Sequence, residues 1–225
     1  MKNLIKLSIY TLALVSVISC AANTEEHNQN TVKASLSPEL IAELDTAIFA
    51  SGCFWCTEAI FERVEGVHDV VSGYSGGTKK NPTYREVSAG VTKYAEAVRV
   101  LFDPKVVTYP ELVEFFFASH DPTQVNRQGP DVGTQYRSEI FYLNEEQKNT
   151  AVNTKKKLDD SGKYSKPIAT RITEFTNFYD AEDYHQDYYE IHPNQPYVYS
   201  VSRPKVEKFV KQYKDKLKDK YKPKG

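Results

Sequence analysis

The stretch TAIFASGCFWCTEAIFERVEG, Thr46–Gly66, changes its periodicity at a single glycine. Before Gly52 lies an apolar run of strand length that ends in small residues. After it, Ile60 and Val64 stand four apart, charged residues fill the intervals and Gly66 supplies a stop. A strand must therefore hand over to a helix at Gly52–Cys53. That places Cys53 near a helix N-terminus, where positive partial charge and unpaired N–H groups favour a thiolate. Cys56 follows one turn later, so the junction carries two sulfurs and, between them, Phe54 and Trp55, the only tryptophan of the chain.

The rest of the chain reads as further strands and helices. VHDVVSGYSGG is a second strand with its turn, and AEAVRVLFDP, Ala95–Pro104, a third. YPELVEFFFASH is a helix with proline in its first turn. HDPTQVNRQGPDVGTQYRS is a polar loop of a length that compact domains reserve for function. EIFYLN gives a fourth strand, NEEQKNTAVNTKKKLDDSG a polar helix, ATRITEFTNFYDA a fifth strand and SRPKVEKFVKQYKDKLKDKY a basic amphipathic helix. The order strand, helix, strand, strand, helix, strand predicts an α+β sandwich of the split βαβ (ferredoxin-like) type, with extended loops and a C-terminal helix.

The chain has 225 residues and a net charge of −1, which fits one domain with appendages and gives no global attraction to nucleic acid or anionic membrane. Its first residues stand apart. Lys2 and Lys6 precede the apolar run LSIYTLALVSVIS, too short for a good spanning helix, and the run ends at Cys20. VISC resembles the lipobox of a bacterial lipoprotein. That resemblance implies a signal peptide over 1–19 and a lipidated Cys20. An ordinary secretory signal and an uncleaved anchor are the alternatives. Residues Ala21 to Ser37 are polar and lack apolar periodicity, so 20–43 reads as lipidated cysteine plus flexible tether and 44–225 as the domain. His27 belongs to that tether. The only methionine is Met1, so the mature chain would contain none, which suits a place where oxidants convert methionine to sulfoxide.

With Cys20 spent on the lipid, Cys53 and Cys56 are the two cysteines left. A bridge across two residues closes almost no loop and stabilises little, so the pair reads as redox-active rather than structural. A thiolate at Cys53 is a nucleophile, with Phe54 and Trp55 as an apolar wall beside it. On the third strand Glu96 lies between Ala95 and Ala97, and alternation sets it on one face with Val98. It is either a sheet-edge charge or a buried acid with a raised pKa. The loop adds Asp131, Gln135 and Tyr136, and NPTYREV adds Tyr84. His68, His120 and His192 show no metal spacing, and no metal site is expected.

Taken together, GCFW, NPTYREV, AEAVRVLFDP, GPDVGTQYRS and AEDYHQDYY are similar, in this order, to motifs of the A-type peptide methionine sulfoxide reductases. The resemblance runs from about Thr46 to Pro196. It implies reduction of the S epimer of methionine sulfoxide, free or in proteins, without a cofactor. In that scheme Cys53 attacks the sulfoxide sulfur and Glu96 protonates the oxygen. Tyr84 and Tyr136 hydrogen-bond that oxygen beside Asp131, and Phe54 and Trp55 receive the methyl group. Cys53 is left as a sulfenic acid. His185 matches a family position and is expected to support the loop or the fold.

The chain departs from a common family pattern at Cys56, where many relatives carry glycine and resolve the sulfenic acid with a cysteine near the C-terminus. No cysteine follows Cys56 here, so Cys56 is the expected resolving residue; a packed thiol, with an external thiol resolving Cys53, is the alternative. A pair three residues apart must reach a short Cα separation, through local unwinding if the helical turn resists it. The partners implied are free or protein-bound methionine sulfoxide and an exported thioredoxin-like dithiol. The reading places a monomer in the bacterial cell envelope, lipid-anchored outside the cytoplasmic membrane. Two other readings compete. A general disulfide exchanger using CFWC would need neither Glu96 nor the tyrosine pair. A non-catalytic lipoprotein would tolerate loss of Cys53.

Overall fold

The computed structural model describes residues 36–223. The expected signal, the lipidated Cys20 and the greater part of the tether lie outside the described residues. Among them no helix is long and apolar enough to cross a membrane. The chain enters through a one-turn helix, α1 (Pro38–Ile41), capped by Ser37, whose Oγ accepts from the Leu40 N–H at 3.2 Å. Then come β1 (Asp45–Ser51), α2 (Phe54–Glu62), β2 (Val67–Ser75), α3 (Tyr84–Ser88), β3 (Ala95–Phe102) and α4 (Tyr109–Ser119). Two two-residue strands, β4 (Arg127–Gln128) and β5 (Asp131–Val132), pair within the long polar loop. β6 (Ser138–Tyr142), α5 (Glu145–Asp160), β7 (Arg171–Glu174) and β8 (Phe178–Asp180) follow, then α6 (Tyr188–Ile191) and α7 (Arg203–Gln212).

The architecture is mixed α+β. Six strands form one sheet in the order β7-β6-β1-β3-β2-β8, antiparallel throughout except for β6 beside β7. Alternation along β1 sends Ala47 and Phe49 to the helix-covered face and Ile48 and Ala50 to the other. Phe49 stacks there on Phe61 of α2 at 5.1 Å and on Phe116 of α4 at 5.2 Å, which pins both helices to the central strand. The opposite face carries small residues, Ala50, Ala95 and Ala97, and is covered by Phe175 and Phe178.

Two elements differ from the sequence reading. ATRITEFTNFYDA is not one strand. β7 and β8 lie on opposite edges of the sheet, and the chain between them crosses the small-residue face. Gly73 makes room for that crossing, since a Cβ there would sit 2.4 Å from the Phe178 ring. The C-terminal helix ends at Gln212 rather than continuing to Tyr221. Leu217, 1% exposed, leaves the helical path to form a bridge with Val64, and the Lys218 N–H donates to the Arg63 carbonyl at 2.9 Å. Burial of one leucine and closure of the end of α2 outweigh helical continuation there.

Helix α2 also buries charge-bearing groups. Glu58 is 1% exposed, and burial followed by the Glu62 charge pushes its carboxyl up to about 9, while the Asp187 N–H pulls it back. Glu62 is pushed up to about 8 by burial and by Asp187. Asp187 stands in the left-handed region at φ 53°, just after the His185 turn, so these carboxyls tie that turn to α2. The linkage sign follows. Folded Glu58 keeps a proton that the unfolded chain loses above its ordinary value, so this contribution to stability falls as pH rises towards about 9. Glu58→Gln removes the titration. The thermal midpoint of Glu58→Gln minus that of the wild type should therefore increase from about pH 5 to about pH 8. A difference that stays flat or decreases would contradict a protonated, buried Glu58.

Candidate active site

The junction read from sequence is built by Gly52 and Cys53. Gly52 adopts φ 97°, and a Cβ on it would lie 2.6 Å from the Gln128 Cβ. Gln128, in β4, is locked in turn by Asp121, whose carbonyl accepts from its Nε2 at 2.9 Å. The polar loop is thereby pressed onto the strand-to-helix corner. Cys53 is the N-cap of α2, with φ −60° and ψ 124°, and Cys56 is the third residue of the helix. An N-cap side chain turns towards the third helical residue, as it does in a capping box. The two cysteines thus occupy the N-cap and the third position of one helical turn. Both thiols are free and buried.

The acid arrives from the sheet. Glu96 pairs with Tyr74 across β2–β3 and points, like Val98, to the helix-covered face. It is 2% exposed, and its Oε2 accepts from the Phe54 N–H at 3.1 Å. Burial first, then the Asp131 and Cys56 charges, push its carboxyl up to about 8, with the Phe54 N–H pulling the other way. This is the buried acid, not the sheet-edge charge. At neutral pH it holds a proton one residue away from Cys53.

The tyrosines and Asp131 lie around the same mouth. Tyr84 opens α3, stacks on Phe54 at 6.4 Å and lies tilted against the His185 ring at 4.2 Å. Tyr136 closes a 3-10 turn, Thr134–Tyr136. Burial and the Glu96 charge push both phenols up, so both remain O–H donors. Asp131, in β5, accepts from the Tyr197 hydroxyl at 2.5 Å. Phe54 is 1% exposed at the base of an aromatic cluster with Tyr74, Tyr84 and His185. Trp55 is half-buried and stacks on Tyr188 at 3.8 Å and 10°. Its indole N–H donates to His185 Nδ1 at 3.2 Å. His185 is held down to about 4 by burial, so it is neutral and serves as the support for Trp55.

One sequence expectation changes. Helix position alone would favour a Cys53 thiolate, but Cys53 is only 6% exposed. Burial pushes its thiol well up, the hydrogen bond to Cys56 and the Cys56 and Glu96 charges push the same way, and the Trp55 N–H pulls back. Cys56 is held down to about 7 by the hydrogen bond from Cys53, then by Lys205 and Ser202.

The family model of peptide methionine sulfoxide reductase matches residues 45–218. A peptide methionine sulfoxide reductase MsrA from Nitratiruptor sp. is 52% identical over 173 residues, 77% of this chain and 98% of the relative. The chain belongs to the peptide methionine sulfoxide reductases. By that membership it is a peptide-methionine (S)-S-oxide reductase of the A type, an oxidoreductase. The crystal structure of reduced Mxr1 from Saccharomyces cerevisiae superposes with TM-score 0.63 at 38% identity, covering 68% of this chain and 88% of that one. Methionine sulfoxide reductase A of Corynebacterium diphtheriae gives 0.61 at 36%, covering 68% and 77%.

Three neighbours of the reductase site were not read from sequence. Tyr197 bonds Asp131 and meets Trp55 edge-on at 5.8 Å. Glu182 accepts from the Tyr84 N–H and the Tyr74 hydroxyl, both at 2.8 Å. Ser202 accepts from the Cys56 thiol at 3.1 Å. Each comes from the segment after β8. Among the described residues no group of three or more His, Cys, Asp or Glu is placed to hold a metal.

Gly52 is the position where this corner tolerates least. Gly52→Ala forces both a strained φ and a backbone or loop displacement, of the order of 1–3 kcal/mol. A fall of roughly 2–10 °C in thermal midpoint should follow, and an unchanged midpoint would show that the corner relaxes freely.

Proposed function

We propose that this reductase works through Cys53 as nucleophile, Glu96 as acid and Cys56 as resolving thiol. The observation that carries the proposal is the buried carboxyl of Glu96, hydrogen-bonded to the residue that follows Cys53. A carboxyl with a proton at neutral pH can give it to a sulfoxide oxygen, which makes the sulfoxide sulfur electrophilic. The oxygen is received by the phenols of Tyr84 and Tyr136, and Asp131 with Tyr197 closes the polar side. Trp55 and Phe54 hold the substrate methyl group. The Cys53 sulfur takes the sulfoxide oxygen, methionine leaves two electrons richer, and Cys53 becomes a sulfenic acid. Protonation of Glu96 also lightens the charge that opposes a Cys53 thiolate, so acid and nucleophile are poised by the same proton.

Cys56 then forms a disulfide with Cys53, and an exported thioredoxin-like dithiol reduces it. The N-cap to third-residue geometry supports this step. The substrates are S-epimer methionine sulfoxide in exported proteins and as free amino acid. We read residues 1–19 as a lipoprotein signal, Cys20 as the lipidated residue and the cell envelope as the working place. The protein acts there as a monomer without cofactor. The central order β6-β1-β3-β2, with helices in the crossovers from β1 to β2 and from β3 to β6, supports the split βαβ description.

Turnover on separated S and R epimers with dithiothreitol tests the reaction: the S epimer alone should be reduced. Reduction of insulin disulfides without sulfoxide turnover would favour disulfide exchange instead. Cys53→Ser should be inactive, whereas Cys56→Ser should release one equivalent of methionine and then stall with a dithiol protein as donor. Normal recycling in Cys56→Ser would remove Cys56 from the scheme. Glu96→Gln should slow the first step by roughly 10²–10⁴. The wild-type first step should also decline as pH rises through about 8, where Glu96 loses its proton; a single-turnover rate that holds above that pH would exclude Glu96 as the acid.

A further inference from the structure

We propose that Ser202 is a positioning residue for Cys56, presented by a π-helical turn, and that it primes that sulfur to resolve oxidised Cys53. The inference rests on the reading of Cys56 as resolving thiol. The segment Val198–Ser202 makes a wide turn that runs straight into α7: the Arg203 N–H donates to the Val198 carbonyl five residues back. Such turns recur at functional sites. Val198, Ser202, Val206 and Phe209 line one buried face of this continuous helix, at 0%, 0%, 2% and 1% exposure. Three of the four are apolar. A hydroxyl in that row needs a partner, because an unpaired buried hydroxyl is destabilising. Its partner is the Cys56 sulfur at 3.1 Å, across 146 residues of sequence.

A serine hydroxyl suits both states of a sulfur. It accepts from the thiol and, after rotating, donates to the thiolate. Several charged groups bear on Cys56. Cys53 lies on its own helix, Glu96 on β3, Asp131 on β5, Tyr197 before the wide turn, and Lys205 on α7. Among them Lys205 is the one cation, and it acts with the Ser202 hydroxyl in favour of the Cys56 thiolate, while Asp131 opposes it. The step they serve is balanced as follows. The Cys56 sulfur supplies the electron pair of a new S–S bond to Cys53. The Cys53 S–O bond breaks, and its oxygen leaves with that bond's pair, taking up the proton that Cys56 gave away to become water. The Ser202 contact is released as the S–S bond forms.

The test uses the full chain, reduced and mixed with one equivalent of S-epimer methionine sulfoxide, with thiols blocked at timed intervals and the Cys53–Cys56 disulfide read by mass. In parallel, the pH profile of Cys56 alkylation is measured in a Cys53→Ser background. Ser202→Ala should slow disulfide formation by about tenfold near neutral pH and raise the alkylation midpoint by about one pH unit, the same factor in thiolate. The Cys53 sulfenic acid should accumulate and be trapped by a carbon nucleophile. Ser202→Thr, which keeps the hydroxyl, should retain both wild-type readouts and guards against simple misfolding of the buried variant. Wild-type disulfide rates and pH profiles in Ser202→Ala would overturn the role of Ser202 while leaving Cys56 as resolving thiol. A wild-type chain that releases methionine but never forms the disulfide would overturn both.

Discussion

A single hydrogen bond, from the Phe54 N–H to the carboxyl of Glu96, joins the start of α2 to the start of β3 across 42 residues. Helix N-termini carry unpaired N–H groups, and a buried carboxyl needs a donor. Each solves the other's problem. Because Phe54 follows Cys53 directly, the bond also sets the distance between a proton and a sulfur, and every other feature of the site is arranged around that pair. The same burial that keeps Glu96 protonated also works against a Cys53 thiolate. The site is thus poised with acid loaded and nucleophile protonated, and electrophile activation must accompany formation of the nucleophile.

Much of this was legible in the chain. The change of period at Gly52 located the strand-to-helix corner, and alternation along AEAVRV put Glu96 on the face of Val98, which proved to be the helix-covered one. Local rules sufficed there because each feature is short range: a glycine at positive φ, an N-cap and a two-residue alternation. What was not legible depends on distant contacts. Thr176 and Asn177 split one expected strand because Phe175 and Phe178 fill a face made of alanines on other strands. Leu217 ends a helix that its sequence would continue because Val64 lies beside it.

The thiolate expectation failed for a related reason. A helix terminus favours negative charge at its exposed end. Here the polar loop presses Gln128 against Gly52 and removes water from the corner, so desolvation outweighs the terminus. Tyr197 and Ser202 escaped notice because helical spacing in NQPYVYSVSRPK announces a buried face but not the partner of a hydroxyl on it. Their roles exist only once the segment has wrapped across α2, bringing a hydroxyl to Cys56 and a phenol to Asp131.

The claim on which all of this depends is that Glu96 carries a proton at neutral pH. Carbon-13 labelling of the glutamate carboxyls, with Glu96→Gln to assign the resonance, reads that proton directly. The account predicts a carboxyl that stays protonated through neutral pH and titrates near 8. A Glu96 resonance that titrates near the ordinary carboxylate value of about 4.3, and is fully ionised at neutral pH, would contradict it.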